Sequence, residues 1–321
     1  MVDVSSKNLS QKTPETLVLH SVFHALAYAD VFDYPLTATE VYRYITLVDA
    51  SFEEVLLALS DETLFSKKDD FYTLRGREGI VETRQRRAEV ADRLWRKASR
   101  YGRIIGSLPF VRMVAVTGSL AVNNVEEGKD IDFMLVTAPD HLWTCRAFVL
   151  FVARLAKLEG VELCPNYLIT TNAMALDEHS LYVAHELAQM IPLSGRVIYD
   201  EMRRLNGWMA DYLPHSLMVP ELPPGIRPMG NPSRIRSVLE FLLRLPFLNR
   251  FEKWEMNRKI KKLSREQSLS VESYFSPDVC KGHIDRHGQS VETALAVRME
   301  KATDSQTAPA PLVPSARAGV S

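Results

Sequence analysis

Apolar positions at helical spacing open the chain. In residues 16–30, Leu17, Leu19, Val22, Phe23, Leu26 and Ala27 fall on one face and predict a helix. Tyr34-Pro35 interrupts that pattern. Thr37 and Glu40 then form a capping-box pair that starts a second helix, with Val41, Tyr44 and Ile45 inward. Ser51 and Glu54 repeat the device for a third helix, which turns Val55, Leu56 and Leu59 inward. LFSKKDDFYTL comes next, two apolar-aromatic runs around a charged turn at residues 67–70, and predicts a hairpin.

Three short helices and a hairpin are the element order of a winged helix-turn-helix, assigned here to residues 15–75, although other small α+β bundles share it. Residues 1–14 carry no periodicity and are expected to be a loose tail. A long helix follows at 75–103, with Ala88, Ala91, Leu94, Trp95 and Ala98 on one stripe, and 76–107 is taken as a connecting segment. Beyond it the period becomes that of an α/β (α+β) unit spanning 108–213. Strands are expected at 111–117, 130–137 and 161–170, with Pro165 marking an edge or bulge, and helices at 139–159, 181–190 and 197–212. Residues 214–233 are a Pro-rich linker, 234–302 a helical extension broken at Pro246, and 303–321 an Ala/Pro/Ser-rich tail expected to be disordered.

Composition removes several classes. With 321 residues, 46% of them hydrophobic, the chain can bury about two domains and is neither disordered nor collagenous. Cys145, Cys164 and Cys280 are too few and too scattered for a disulfide framework, which points to a reducing compartment. The first residues lack a secretory pattern, and charged residues interrupt every long apolar run, so a cytoplasmic protein is expected.

The net charge of -1 predicts no general attraction to nucleic acid or membrane, but it is unevenly distributed. Residues 75–103 hold ten Lys/Arg against four acids, and residues 234–265 ten against three. The first stretch is read as a solvated helix face, with a phosphate-facing surface as the alternative. The second is read as a packed helix with a basic rim, with contact to an anionic membrane as the alternative. Sequence-specific DNA binding is not expected, because residues 51–61 carry Glu53, Glu54 and Asp61 and no Lys or Arg.

Candidate chemistry concentrates in VAVTGSLAVNNVEEGKDIDFMLVT, residues 114–137. A strand ends at Gly118-Ser119, where glycine permits a tight turn and the serine hydroxyl with free N–H groups suits a phosphate. Ten residues later Asp130-Ile131-Asp132 opens the next strand, so alternation puts both carboxylates on one face and Ile131 behind. Adjacent carboxylates repel unless a divalent cation lies between them, and an oxygen-rich pair suits Mg²⁺ or Mn²⁺ carrying a triphosphate.

Gly118-Ser119, the ten-residue spacer and Asp130-x-Asp132 followed by FMLV resemble the signature of the DNA polymerase β-like nucleotidyltransferase superfamily, in particular its minimal members. The resemblance covers residues 108–170. It implies a small mixed sheet with flanking helices and a nucleotide phosphate held at Gly118 and Ser119. Two Mg²⁺ or Mn²⁺ ions would be bound by Asp130, Asp132 and a third carboxylate on a later strand. The activity implied is transfer of an NMP from an NTP to a hydroxyl acceptor (a small molecule, a protein or RNA) with release of pyrophosphate. In VELCPNYLIT the third acid is expected to be Glu162, with Cys164 and Asn166 on the same face and Asn166 as a neutral neighbour. If Glu162 only caps the strand, the protein is a degenerate nucleotide-binding module, or a regulatory one that binds nucleic acid or protein. Leu120 stands where minimal members often carry an arginine, which removes a phosphate contact.

Other residues carry weaker signals. Lys129 beside the acids could meet a phosphate or only solvate a turn. Tyr182, His185 and Glu186 share a helix face that could border the cleft, although a packing histidine on a helix surface is the simpler reading. Cys280, His283 and His287 are zinc-ligand types without a fourth ligand nearby, so a polar loop is expected there. No GxSxG elbow or Walker loop is present.

Overall fold

The computed structural model describes residues 13–229, 234–243, 246–266, 274–281 and 287–307. Helix α1 (Pro14–Asp30) starts where the Thr13 side chain accepts the Thr16 N–H and Pro14 occupies the first turn. Strand β1 (Leu36–Thr37) leads into α2 (Ala38–Arg43), and α3 (Phe52–Leu59) comes after it; both helices begin with the complete capping boxes Thr37/Glu40 and Ser51/Glu54. The predicted hairpin forms as β2 (Phe65–Lys68) and β3 (Phe71–Leu74), and β1 pairs with β3 to make a three-stranded antiparallel sheet. Two residues are too few for a periodicity signal, so β1 is not legible in the sequence.

Helix α4 (Ile80–Ser107) runs from this sheet into the second unit. Four of its eight basic residues form ion pairs within the chain, Arg84 with Glu40, Arg87 with Glu126, Arg93 with Glu127 and Arg100 with Glu159, while Arg77, just before it, meets Asp30 and Asp33. The remaining elements of this unit are β4 (Val111–Val116), the single turn α5 (Gly118–Ala121), β5 (Ile131–Thr137), α6 (Leu142–Leu158), β6 (Leu163–Thr170), α7 (Leu181–Gln189), β7 (Ile191–Ser194), α8 (Arg196–Leu205) and α9 (Met209–Tyr212). The helix expected at 197–212 is thus two helices, and β7 occupies the connection between the helices expected at 181–190 and 197–212, where no element was expected.

Helices α10 (Arg234–Leu243) and α11 (Pro246–Glu266) flank the predicted break at Pro246. Strands β8 (Tyr274–Phe275) and β9 (Val279–Lys281) and helix α12 (His287–Thr307) complete the chain. Helix α12 extends past the expected start of the tail at 303, and residues 308–321 lie outside the described residues, as do most of the expected N-terminal tail and His283.

The large sheet is mixed, in the order β7-β4-β5-β6-β9-β8, with β5 and β6 parallel and the other neighbours antiparallel. Alternation along β5 sends Ile131, Phe133 and Leu135 into a core with Trp95, Ile105 and Trp143 from α4 and α6. Met134 and Val136 point the other way, into a core shared with Leu187 of α7, Tyr199 of α8 and Val22, Val41 and Val55 of the N-terminal helices. The sheet is therefore covered on both faces, and the N-terminal unit packs into one of them. No helix among the described residues is long and apolar enough to cross a membrane.

Candidate functional site

The end of β4 and the start of β5 meet at the predicted motif. Gly118 has φ +65°, and a Cβ placed there would lie 2.9 Å from Asp132 Oδ2, so backbone freedom and close approach both require glycine. Asp132 follows Ile131, which is fully buried on the opposite face. Asp130, Asp132 and Cys164 present ligand atoms within 4.8 Å of one another, and all three are half-buried. Ser119 and Asn124 line a cavity with Gly118, the Asn124 N–H donating to the Ser119 carbonyl at 2.8 Å.

Glu162 does not join this cluster. It precedes β6, is exposed, and pairs with Lys157 at 2.7 Å, while its carbonyl accepts the Ile131 N–H. The parallel register places Cys164, not an acid, opposite Asp132. One residue pair later the register shifts, so that Met134 faces Tyr167. The bulge anticipated from Pro165 thus exists, and it breaks the alternation that would have kept Asn166 beside Cys164. Asn166 instead lines a cavity with Thr117, Tyr167, Tyr182 and Glu186. Lys129 is exposed in the turn before β5.

The acid that does approach is Glu186. The Gly118 N–H donates to its carboxylate, and burial followed by the Asp132 charge raises it to about 7 despite that bond. Asp132 is also pushed up to about 7, by burial first and the Asp130 charge second, with the Cys164 thiol donating a hydrogen bond in opposition. Burial and the two aspartates push the Cys164 thiol well above its ordinary range, so it stays protonated. A protonated thiol is a poor ligand for a hard cation; two carboxylates fit one Mg²⁺ or Mn²⁺, and Glu186 is a further carboxylate close enough for the Asp132 charge to act on it.

Two small cavities adjoin Glu186 and the Thr117–Ser119 turn, and neither is lined by Asp130, Asp132 or Cys164. The one beneath Asn166 and Tyr167 measures about 90 Å³. The other, about 160 Å³, lies between Ser119 and an aromatic wall from the N-terminal unit formed by Tyr28, Phe32, Tyr34 and Tyr44. Tyr182 and Glu186 border both, as their shared helix face suggested. His185 turns away from them: it is buried, stacks on Tyr28 at 3.9 Å, and is lowered to about 3 by burial and then by His24. The packing reading of that histidine therefore holds. Cys145 and Cys280 are both buried, Cys280 in β9 against Leu168. Comparisons with family models, with curated proteins and with solved structures each find no match to this chain.

Proposed function

We propose that the chain is a metal-dependent nucleotidyltransferase of the polymerase β-like type, moving an NMP from an NTP to a hydroxyl acceptor. The observation that carries this reading is the convergence of Asp130 and Asp132 beneath the Gly118-Ser119 turn, at the mouth of a mixed sheet. Asp130 and Asp132 would hold Mg²⁺ or Mn²⁺. Such an ion, when bound, neutralises phosphate charge and lowers the pKa of an attacking hydroxyl. Ser119 would orient the phosphates, and Glu186 would take the role the sequence assigned to Glu162, accepting the acceptor's proton or completing a second ion site.

The aromatic cavity beside Ser119 would take a base or an acceptor ring. At about 160 Å³ it is smaller than the roughly 300–1,000 Å³ of pockets that enclose a whole ligand, so it suits one ring rather than a nucleotide. In this reading the N-terminal unit is a winged-helix-like module that shapes the acceptor side, and α10–α12 form the helical extension.

A second reading, nucleotide binding without turnover, is favoured by one observation: Cys164 occupies the strand position opposite Asp132. Purified protein with Mn²⁺ and each labelled NTP separates the two, by equilibrium binding and by pyrophosphate release with candidate acceptors. Transfer requires release that is lost in Asp130→Ala/Asp132→Ala and reduced in Glu186→Gln. Binding without release supports the second reading, and binding that survives Asp130→Ala/Asp132→Ala refutes both.

A further inference from the structure

Helices α10 and α11 bury several charged side chains while exposing large apolar ones. Four of the charged side chains are buried or nearly so: Arg236 and Glu240 are nearly covered, Glu240 binding Arg112 at 2.7 Å and the Phe110 N–H at 2.8 Å, and Glu252 and Glu255 are buried on α11. On α11, Glu252 is buried and accepts the N–H groups of Trp143 and Thr144 at 2.8 and 2.7 Å, capping the start of α6. Glu255 is buried as well and pairs with Arg258. The outward face has the opposite character. Val238, Phe241 and Leu242 of α10 and Trp254 of α11 are 59%, 74%, 52% and 57% exposed, and Arg250, Lys253 and Lys261 of α11 are exposed as well. Glu240, Glu252 and Glu255 are thus all buried or nearly so, and the described exposed residues of these helices are apolar, cationic or neutral polar, with no acid among them.

We propose that this face docks on a membrane surface containing anionic lipid. Water alone would favour the reverse arrangement, since burying charges costs desolvation and exposing Phe241 and Trp254 forgoes hydrophobic stabilisation. An interfacial helix needs this composition: apolar side chains that enter the acyl boundary, a tryptophan at headgroup depth, and Lys/Arg among the phosphates. Nucleic acid would satisfy the cations and leave four large apolar side chains unpartnered. A second copy packed face to face would set Arg250 and Lys253 of both chains in one like-charged interface. The lipid surface matches both the apolar and the cationic parts. It would hold the nucleotide-binding unit near the bilayer whether or not that unit turns over, so the test is independent of catalysis.

The test is co-sedimentation of the full chain with phosphatidylcholine vesicles, with and without phosphatidylglycerol, at low and high salt, together with tryptophan emission. Binding is expected only with phosphatidylglycerol, weakened by salt, with a blue shift absent in Trp254→Phe. Phe241→Ser/Leu242→Ser should weaken binding at least ten-fold, and Arg250→Gln/Lys253→Gln roughly twenty-five-fold, at about five-fold per cation. Circular dichroism and thermal unfolding of both variants should match the parent, because these side chains are exposed. The proposal is overturned if anionic vesicles do not retain the protein, or if folded variants bind as well as the parent. It is equally overturned if sedimentation velocity shows a dimer that Phe241→Ser/Leu242→Ser dissolves, or if the protein binds single-stranded RNA in preference to vesicles.

Discussion

Asp132→Asn should stabilise the metal-free protein, and by an amount that depends on pH. In the folded chain the Asp132 carboxyl is raised from 3.8 to about 7 by burial and by Asp130. A raised acid favours folding in its protonated form, so its unfavourable contribution is absent below about pH 4, grows as pH rises, and is complete above about pH 7. At about 1.4 kcal/mol per pH unit the full effect would be about 4 kcal/mol, and partial solvation with Glu186 coupling halves it to about 2 kcal/mol. Asparagine keeps the shape, can still accept from the Cys164 thiol, and carries no charge. Urea unfolding with EDTA should therefore show Asp132→Asn more stable than the parent by about 2 kcal/mol near pH 8 and by under about 1 kcal/mol near pH 5. Adding Mn²⁺ near pH 8 should raise the stability of the parent and leave the variant almost unchanged. Equal stabilities at both pH values, or a variant less stable near pH 8, would refute the account of Asp132 as an unfavourably buried charge awaiting a cation.

Other substitutions probe separate parts. Glu162→Gln should leave Mn²⁺ and nucleotide affinity unchanged in equilibrium binding, because Glu162 is exposed on Lys157. Gly118→Ala should lower stability by about 1–3 kcal/mol and remove Mn²⁺ binding, since its Cβ would press on Asp132 at a positive φ. Gly195→Ala should fail to give soluble protein, as a Cβ there would sit 2.0 Å from the Arg112 carbonyl oxygen at φ +73°. Glu240→Ala should cost about 2–4 kcal/mol by urea unfolding and expose α10 to proteolysis, because Arg112 and Arg236 would both lose the carboxylate they share, Arg236 keeping its bonds to the Gly106 and Val111 carbonyls. Against burial, which would raise it, Arg112, the Phe110 N–H and Arg236 hold Glu240 at about 2. Its contribution should therefore be complete above about pH 4.5 and fade as pH falls toward 2, so the parent's advantage over Glu240→Ala should shrink in acid.

The sequence by itself determined local features. The capping boxes at Thr37 and Ser51, the hairpin around residues 67–70, the helix break at Pro246 and the bulge at Pro165 each arise from backbone chemistry within a few residues. The placement of Asp130 and Asp132 on one face with Ile131 behind comes from strand alternation alone, and Gly118 from the turn that brings it against Asp132. Contacts between distant segments were not legible. Alternation chose Glu162 as the third acid, but β6 begins after it and the bulge displaces the next residues by one position, so Cys164 and Tyr167 face β5. Glu186 had a visible signal in its helix face with Tyr182, yet its meeting with Gly118 depends on how α7 packs across the sheet. The two-residue strands β1 and β8 exist only because partners pair with them. The charge run at 234–265 was visible as composition, whereas its division into buried glutamates and exposed cationic and apolar residues was decided by Arg112, Arg236 and the N–H groups of Trp143 and Thr144. Apart from Arg236, those partners lie more than a hundred residues away along the chain, and a buried carboxylate is stable only where the fold brings such donors to it.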